Sequence, residues 1–225
     1  MERRPPPHDE HELRVRAQLL AGRTLGDVAR ALGVTLSNDA VRTKGKTGEL
    51  LERALGASGG SLAAHDFPHL AIELKTIPVD ERGVPRESTY VCTVALADAD
   101  AAEWRTSWVR AKLSHVLWIP VVSPTGAPPE ERRVGSPLFW RPTREQDEVL
   151  GADFDDLIGA IGVGGIEGLT ARTGRWLQVR PKAADASART VAYGPGGERI
   201  TTVPRGFYLR ARFTGAILRD EAHAP

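Results

Sequence analysis

Several features that define other classes of protein are scarce or missing in this sequence. Its single cysteine, Cys92, excludes an intrachain disulfide framework and any zinc cluster built from several thiolates, and its apolar neighbours predict a small buried side chain. No apolar run approaches the roughly 18 residues needed to cross a bilayer. The opening "MERRPPPHDE" also lacks the apolar core of a signal peptide. We therefore expect a cytoplasmic protein without a membrane partner.

The remaining composition is that of a globular chain. Of its 225 residues, 41% are hydrophobic and 26% are charged, with a formal net charge of +1. This length suits one large domain or two closely joined subdomains. We expect a single domain of two lobes over residues 11–220, with a mobile N-terminal tail over residues 1–10 and a C-terminal tail over residues 221–225.

Charge is distributed unevenly along the chain. The segment from Arg172 to Arg212 holds nine basic residues against two acidic ones, whereas Glu145 to Asp156 holds six acids and no base. Such asymmetry is typical of a protein with one basic side that faces phosphates. Chance clustering on a solvated face stays an alternative.

Apolar periodicity predicts a helical N-terminal part. Residues spaced three to four apart predict three helices, in the stretches "HELRVRAQLLAG", "TLGDVARALGV" and "TKGKTGELLERALGAS". Thr24 and Asp27 are placed to cap the second helix. Thr47 is placed to cap the third, which carries Glu52.

Strands are expected after these helices. Ala71 to Val79 and Thr89 to Leu96 have strand character, and the turn residues of "DERGVPRES" between them predict a hairpin. The short apolar run "VLWIPVV" predicts a central strand. Further predicted elements are helices at Glu103 to Leu113 and Gln146 to Ile161, a strand in "GRWLQVRPK" and a turn in "GPGGER".

One predicted strand contains charged side chains. From Ala71 to Ile77 apolar and polar residues alternate, so Glu73 and Lys75 share one face, roughly 6 to 7 Å apart. Asp66 precedes the strand, where a turn can direct it towards Glu73. The spacing alone is compatible with a solvent-exposed ion pair worth under about 1 kcal/mol, or with a convergent site.

The same residues carry a resemblance to known nucleases. Asp66, Glu73 and Lys75 on a predicted strand, with Glu52 on a preceding helix, resemble the active site of restriction-endonuclease-like nucleases. From about residue 12 to 218, the chain is similar to the MutH family, the strand-nicking endonucleases of bacterial methyl-directed mismatch repair. The similar segments, in the same order, are "LGASGGS", "DF", "ELKTIPVD", "VRAKLSHVLWIPV", "RRVGSPL", "LQVRPKAADA" and "PRGFYLR".

The resemblance implies a fold, an activity and partners. The implied fold is α/β, a restriction-endonuclease-like core with a central mixed sheet flanked by helices and two lobes around a DNA cleft. The implied activity is Mg²⁺-dependent nicking of the unmethylated strand at hemimethylated d(GATC) sites in double-stranded DNA. A monomer with one active site is expected, activated by MutL after MutS has found a mismatch.

The implied catalytic set comprises Glu52, Asp66, Glu73, Lys75 and Lys112. The carboxylates of Asp66 and Glu73 and the carbonyl of Leu74 match metal ligands, since Mg²⁺ prefers hard oxygen donors. Lys75 matches the lysine that orients or activates the attacking water. Glu52 is expected to help hold a second metal or its water. Lys112 is expected at the scissile phosphate, with a solvated lysine at a helix end as the alternative.

The implied DNA-binding set comprises Lys44, Tyr90, Arg180, Pro181, Lys182 and Tyr208. Long cations at Arg180 and Lys182 suit the O6 and N7 acceptors of guanine in the major groove. Pro181 would stiffen their loop, and Tyr208 is the candidate reader of the adenine methyl group. Tyr90 stands where the family is expected to have Phe, so it keeps the planar ring and adds a hydroxyl.

Two other functions remain open at this point. A type II restriction-like endonuclease for GATC would dimerise and cut both strands. A DNA-binding module without catalysis would have no reason to retain Asp66, Glu73 and Lys75 together.

Overall fold

The computed structural model describes residues 4–36, 45–59, 64–170, 172–182 and 187–220. Its α-helices are α1 (Glu10–Gln18), α2 (Leu25–Ala31), α3 (Lys46–Leu55), α4 (Trp108–Leu113), α5 (Arg144–Gly162) and α6 (Ala211–Asp220). Its strands are β1 (Glu73–Val79), β2 (Thr89–Thr93), β3 (Val116–Val122), β4 (Arg133–Val134), β5 (Leu138–Trp140), β6 (Leu177–Pro181), β7 (Thr190–Tyr193), β8 (Arg199–Thr202) and β9 (Arg205–Leu209). Among these described helices, none combines the length and apolar character that a membrane crossing needs.

The chain divides into two compact units. Unit 1 comprises Met1–Glu87, His115–Trp140 and Gly215–Pro225, and unit 2 comprises Ser88–Ser114 and Arg141–Thr214. The assignment of residues 1–10 and 221–225 as tails of a single domain stays a prediction.

The helices at the start of unit 1 follow from their end residues. α2 begins with the predicted capping box, in which the side chains of Thr24 and Asp27 each accept a hydrogen bond from the backbone amide of the other residue. The predicted cap of α3 is wrong. That helix begins at Lys46 after Gly45, whose φ of 91° lies in the left-handed region, and none of the side chains that the structure describes caps it. Thr47 therefore lies inside the helix.

A mixed sheet forms the centre of unit 1. β1 runs parallel to β3, with Glu73 beside Val116, and β4 and β5 pair antiparallel with β3. The central strand predicted from "VLWIPVV" is confirmed as β3. One face of the sheet packs on α1, α2 and α3, and fully buried residues of this core include Leu13, Leu25, Leu51, Leu55, Phe67, Ile72, Leu117 and Ile119.

The predicted hairpin between β1 and β2 is wrong. The chain does turn back after β1, with a bridge between Val79 and Pro85 and a 3.1 Å bond from the Arg86 amide to the Pro78 carbonyl. The pairing between these two segments extends no further, because Pro78 and Pro85 have no amide hydrogen to donate to a ladder. β1 instead pairs over its whole length with the buried β3, and β2 pairs with β9.

Unit 2 is built on an antiparallel sheet in the order β2-β9-β6. Its buried face packs on α5, where the rings of Phe154 and Phe207 stack with centroids 5.5 Å apart. Cys92 of β2 is a buried thiol, as predicted. β7 and β8 form a hairpin around the predicted "GPGGER" turn. The predicted helix at 103–113 divides into a 3-10 turn, Trp104–Thr106, and the shorter α4. The structure is thus a mixed α/β fold with a mixed sheet flanked by helices, as predicted.

Candidate active site

A short loop in unit 1 brings Asp66 back onto the start of β1. Phe67 and Ile72 exchange backbone hydrogen bonds of 3.0 and 3.3 Å around the 3-10 turn Pro68–Leu70. The chain thereby reverses, and the Asp66 carboxylate accepts the amide hydrogen of Leu74 at 2.8 Å. The turn expected from the sequence is present, and it places one carboxylate beside the strand that carries the next.

The backbone of β1 directs a carbonyl to the same place. Glu73 donates its amide to the His115 carbonyl at 3.0 Å, on the β3 side, whereas Leu74 donates its amide to Asp66 on the opposite side. In an extended strand the carbonyl and amide of one residue point to the same side. The carbonyl oxygen of Leu74 is therefore directed to the side on which Asp66 lies.

Glu73 and Lys75 form an ion pair that is mostly removed from solvent. The Lys75 Nζ lies 2.7 Å from the Glu73 Oε1, and the two side chains are 12% and 2% exposed. This excludes the interpretation as an exposed surface pair. Burying an ion pair carries a desolvation cost that the Coulombic attraction does not reliably offset. The arrangement is therefore better explained by function than by stability.

Glu52 on α3 belongs to the same group of charges. Burial is the largest cause that raises its pKa, and repulsion from Asp66, Glu49 and Glu73 raises it further, while Lys75 acts in the opposite direction. Sequence reasoning missed Glu49, which lies one helical turn before Glu52. Its spacing of three residues on a predicted helix was the available signal.

The donor set fits a hard divalent cation that keeps part of its water shell. Among the residues that the structure describes, no three His, Cys, Asp or Glu side chains are grouped to hold a metal by themselves. Mg²⁺, however, is usually bound by one or two carboxylates together with waters. Asp66, Glu73 and the Leu74 carbonyl can supply that set. A cation would also relieve the repulsion that raises the pKa of Glu52.

Lys112 is the remaining residue of the expected catalytic set. It lies in the last turn of α4 in unit 2, and its Nζ is 5.2 Å from the centroid of the Trp108 ring. This contact is a cation–π interaction. The role of Lys112 at the scissile phosphate stays a prediction.

A second cluster lies on the β2-β9-β6 sheet of unit 2. Tyr90 on β2 is paired with Tyr208 on β9, and the rings meet edge to face with centroids 5.4 Å apart. A Cβ at Gly206 would lie 2.8 Å from the Tyr90 ring and 3.2 Å from the Tyr208 ring. Gly206 therefore provides the space into which both rings pack. Sequence reasoning missed it, although a glycine inside a strand signals a close approach.

Arg180 of β6 and Lys182, which directly follows β6, both lie against this tyrosine pair. The Arg180 Cζ is 5.7 Å from the Tyr208 ring centroid, and the Lys182 Nζ is 5.1 Å from the Tyr90 ring centroid. Pro181 between them is the last residue of β6. Four of the predicted DNA-binding residues thus lie on three neighbouring strands, and Lys182 directly follows the last residue of β6. The sixth, Lys44, lies outside the described residues.

A buried carboxylate anchors the strand that carries these cations. Asp153 on α5 is 6% exposed and accepts the amides of Arg175, Trp176 and Leu177 at 2.6 to 2.8 Å. Arg210 donates to carbonyls of the preceding turn. Sequence reasoning counted Asp153 only as one acid of an acidic helix, and nothing local distinguished it from its neighbours.

Comparisons with known proteins agree with one another. Residues 55–153, which include the Asp66 to Lys75 cluster and Lys112, match a family model described as "DNA mismatch repair enzyme MutH". The chain is 49% identical over 214 residues to the DNA mismatch repair protein MutH of Serratia proteamaculans (strain 568), covering 95% of this chain and 94% of that protein. It is 50% identical over 213 residues to the protein of the same description from Escherichia coli (strain K12), covering 95% and 93%.

Proposed function

This chain belongs to the MutH family of DNA mismatch repair enzymes, and from that premise we propose that it is an endonuclease that nicks the unmethylated strand at hemimethylated d(GATC) sites. The proposed reaction is metal-dependent hydrolysis of a phosphodiester bond. The observation that carries the proposal is the partly buried cluster of Asp66, Glu73 and Lys75 at the start of β1.

In this reaction the unit 1 cluster holds the cofactor and orients water. Asp66, Glu73 and the Leu74 carbonyl would hold Mg²⁺, which when bound supplies Lewis-acid polarisation of the scissile phosphate. The Lys75 Nζ donates a hydrogen bond to the Glu73 carboxylate at 2.7 Å, and this bond fixes the position of the ammonium group. The remaining ammonium hydrogens can then orient the attacking water. The charge of Lys75 also offsets the negative charge that develops on the phosphate. Glu52 would help hold a second metal or its water.

The unit 2 cluster is proposed to read the DNA sequence. Arg180 and Lys182 are exposed, and the tyrosine rings beside them limit the orientations that each cation can take. Such ordered cations suit the two acceptors of guanine in the major groove. Tyr208 is the proposed reader of the adenine methyl group, because that group also projects into the major groove.

The proposal extends to partners and stoichiometry. One Asp66–Glu73–Lys75 cluster per chain is suited to cutting one strand, so we propose that a monomer acts. MutL is proposed as the activator and MutS as the indirect trigger, and family membership alone carries these two partners.

A plasmid assay distinguishes the proposed function from the restriction-like endonuclease and from the non-catalytic DNA-binding module. A supercoiled plasmid with one hemimethylated GATC site is incubated with the protein and Mg²⁺, beside a plasmid without GATC and an Asp66→Asn variant. Open circles from the GATC plasmid alone are the expected product. Linear product would instead favour the restriction-like alternative. Specific binding without any cleavage would favour the non-catalytic module.

A further inference from the structure

The N-terminal segment, residues 4–8, contacts the end of the helix that carries Glu52. Arg4 donates to the Ala54 carbonyl at 3.2 Å. Arg16 of α1 donates through the same nitrogen to the Pro5 carbonyl at 2.7 Å and to the Leu55 carbonyl at 2.9 Å. Carbonyls in the last turn of a helix have no partner within the helix. Arg4 of the segment and Arg16, which also binds the segment, thus supply bonds that the end of α3 otherwise lacks.

The fit between the segment and α3 is close at the level of the backbone. Gly56, which ends α3, has a φ of 86° in the left-handed region. A Cβ at this position would collide with the Pro5 carbonyl and would lie 2.8 Å from the Arg16 guanidinium. A residue other than glycine would therefore displace the segment.

The same segment contacts the loop that carries Asp66. The His69 Nε2 lies 2.6 Å from the Pro7 carbonyl oxygen. A carbonyl oxygen can only accept, so the Nε2 carries the hydrogen and donates it. His69 lies in the turn Pro68–Leu70, within the loop that returns Asp66 to the Leu74 amide. Pro7 itself is buried.

From these contacts we infer that residues 4–8 brace the active site, and that His69 is a positioning residue through which the brace holds Asp66 in place. The brace joins α3 and the Asp66 loop, two parts of unit 1 that each bring a carboxylate to the cluster. Mg²⁺ demands near-ideal octahedral geometry, so small displacements of its ligands weaken binding. The inference rests on the proposed function in one respect only, namely that the carboxylates bind a metal ion.

The first test needs no metal and no DNA. His69→Ala removes the bond to Pro7, and His69→Gln retains an N–H donor. His11→Ala, at an exposed position of α1, is the matched control. Hydrogen exchange of the Leu74 amide is measured in the metal-free protein, with urea unfolding as the check on global stability. We expect exchange to accelerate roughly fivefold in His69→Ala, the factor for losing about one hydrogen bond. His69→Gln and His11→Ala should stay near wild type, and Arg4→Ala should accelerate exchange as well.

The second test measures metal binding and turnover. Calorimetric titration with Mn²⁺ should show affinity lowered by roughly fivefold or more in His69→Ala, while the KM for a GATC duplex is unchanged and kcat falls. Wild-type Leu74 exchange and wild-type Mn²⁺ affinity in both His69→Ala and Arg4→Ala would overturn the brace. If the wild type neither binds Mn²⁺ nor cuts DNA, the proposed function fails, and the exchange measurement still decides the brace.

Discussion

Glu73 and Lys75 show why burial matters at the scale of single residues. The alternation in the sequence placed both side chains on one face of a strand, but it could not tell whether water covers that face. In the structure this face of β1 is largely shielded from water, since Glu73 is only 2% exposed. An ion pair in such a position is weak evidence for stability, because hydrophobic replacements of both partners are often neutral or stabilising.

A double replacement should therefore separate stability from activity. Glu73→Leu alone leaves Lys75 buried without this partner and should lower the free energy of unfolding by roughly 3 kcal/mol. Glu73→Leu combined with Lys75→Met should recover most of that loss, yet remain unable to nick DNA. Urea unfolding and plasmid nicking measure the two quantities. Recovery of nicking together with stability would show that the pair is structural.

Glu52 gives a prediction about pH. Its pKa is raised above the ordinary value of 4.5 in the folded protein, mainly by burial and then by neighbouring carboxylates. The folded state thus favours the protonated form, so the wild type loses stability as pH rises from about 4.5 through the raised pKa. Glu52→Gln removes this titration. In metal-free protein, its stability relative to wild type should therefore increase from acid to neutral pH.

Urea unfolding across this pH range measures the effect, with the exposed Glu145→Gln as a control. A stability difference that does not change with pH would contradict the placement of Glu52 among like charges. Adding Mg²⁺ at neutral pH should narrow the difference, since a bound cation offsets the repulsion that the ionised wild-type residue experiences.

Tyr208 is the residue proposed to sense methylation. Methylation of adenine N6 adds bulk and removes one donor hydrogen in the major groove. Tyr208→Ala should let the enzyme cut methylated strands at a rate closer to its unmethylated rate, even if both rates fall. Tyr208→Phe retains the ring and so separates bulk sensing from hydrogen bonding. Strand-resolved nicking gives the discrimination ratio, and an unchanged ratio in Tyr208→Ala would place methyl reading elsewhere.

At the scale of elements, local patterns predicted more than pairings did. The capping box of α2 and the apolar β3 depend on neighbouring residues, so the sequence revealed them. The hairpin was wrong because the choice of a strand partner depends on burial between distant segments. The same limit applies to the site. Spacing could place Glu73 beside Lys75, but only the fold shows that Asp66 accepts the Leu74 amide.

The contact of Asp153 on α5 with the backbone at the start of β6 can be tested at the scale of elements. Asp153→Asn replaces a buried carboxylate that accepts three amides, and hydrogen bonds to charged groups are worth roughly 1.5 to 3 kcal/mol each. We expect a loss of stability of at least about 2 kcal/mol, and weaker preference for GATC over a scrambled duplex. Asp155→Asn, exposed on the same helix, is the matched control and should change neither. Equal behaviour of the two variants would mean that Asp153 does not anchor the strand.

At the scale of the whole molecule, the proposed metal ligands and the residues proposed to read the DNA sequence belong to different units. The carboxylates and Lys75 lie in unit 1, whereas the tyrosine pair, Arg180 and Lys182 lie in unit 2. The uneven charge of the sequence predicted part of this division, because the basic segment from Arg172 to Arg212 contains Arg180 and Lys182. Variants that remove a carboxylate from unit 1, such as Asp66→Asn, should therefore lose cleavage while retaining DNA binding, since they remove no basic surface.

The central claim is strand-selective nicking, and one measurement tests it most directly. A duplex with one GATC site, labelled differently on its two strands, is prepared unmethylated, hemimethylated in each orientation and fully methylated, and is incubated with the protein and Mg²⁺. The account predicts that the unmethylated strand of each hemimethylated duplex is cut, that the methylated strand is spared and that Asp66→Asn cuts neither. Equal cutting of both strands in the hemimethylated duplexes, or Mg²⁺-dependent cutting by Asp66→Asn, would contradict it.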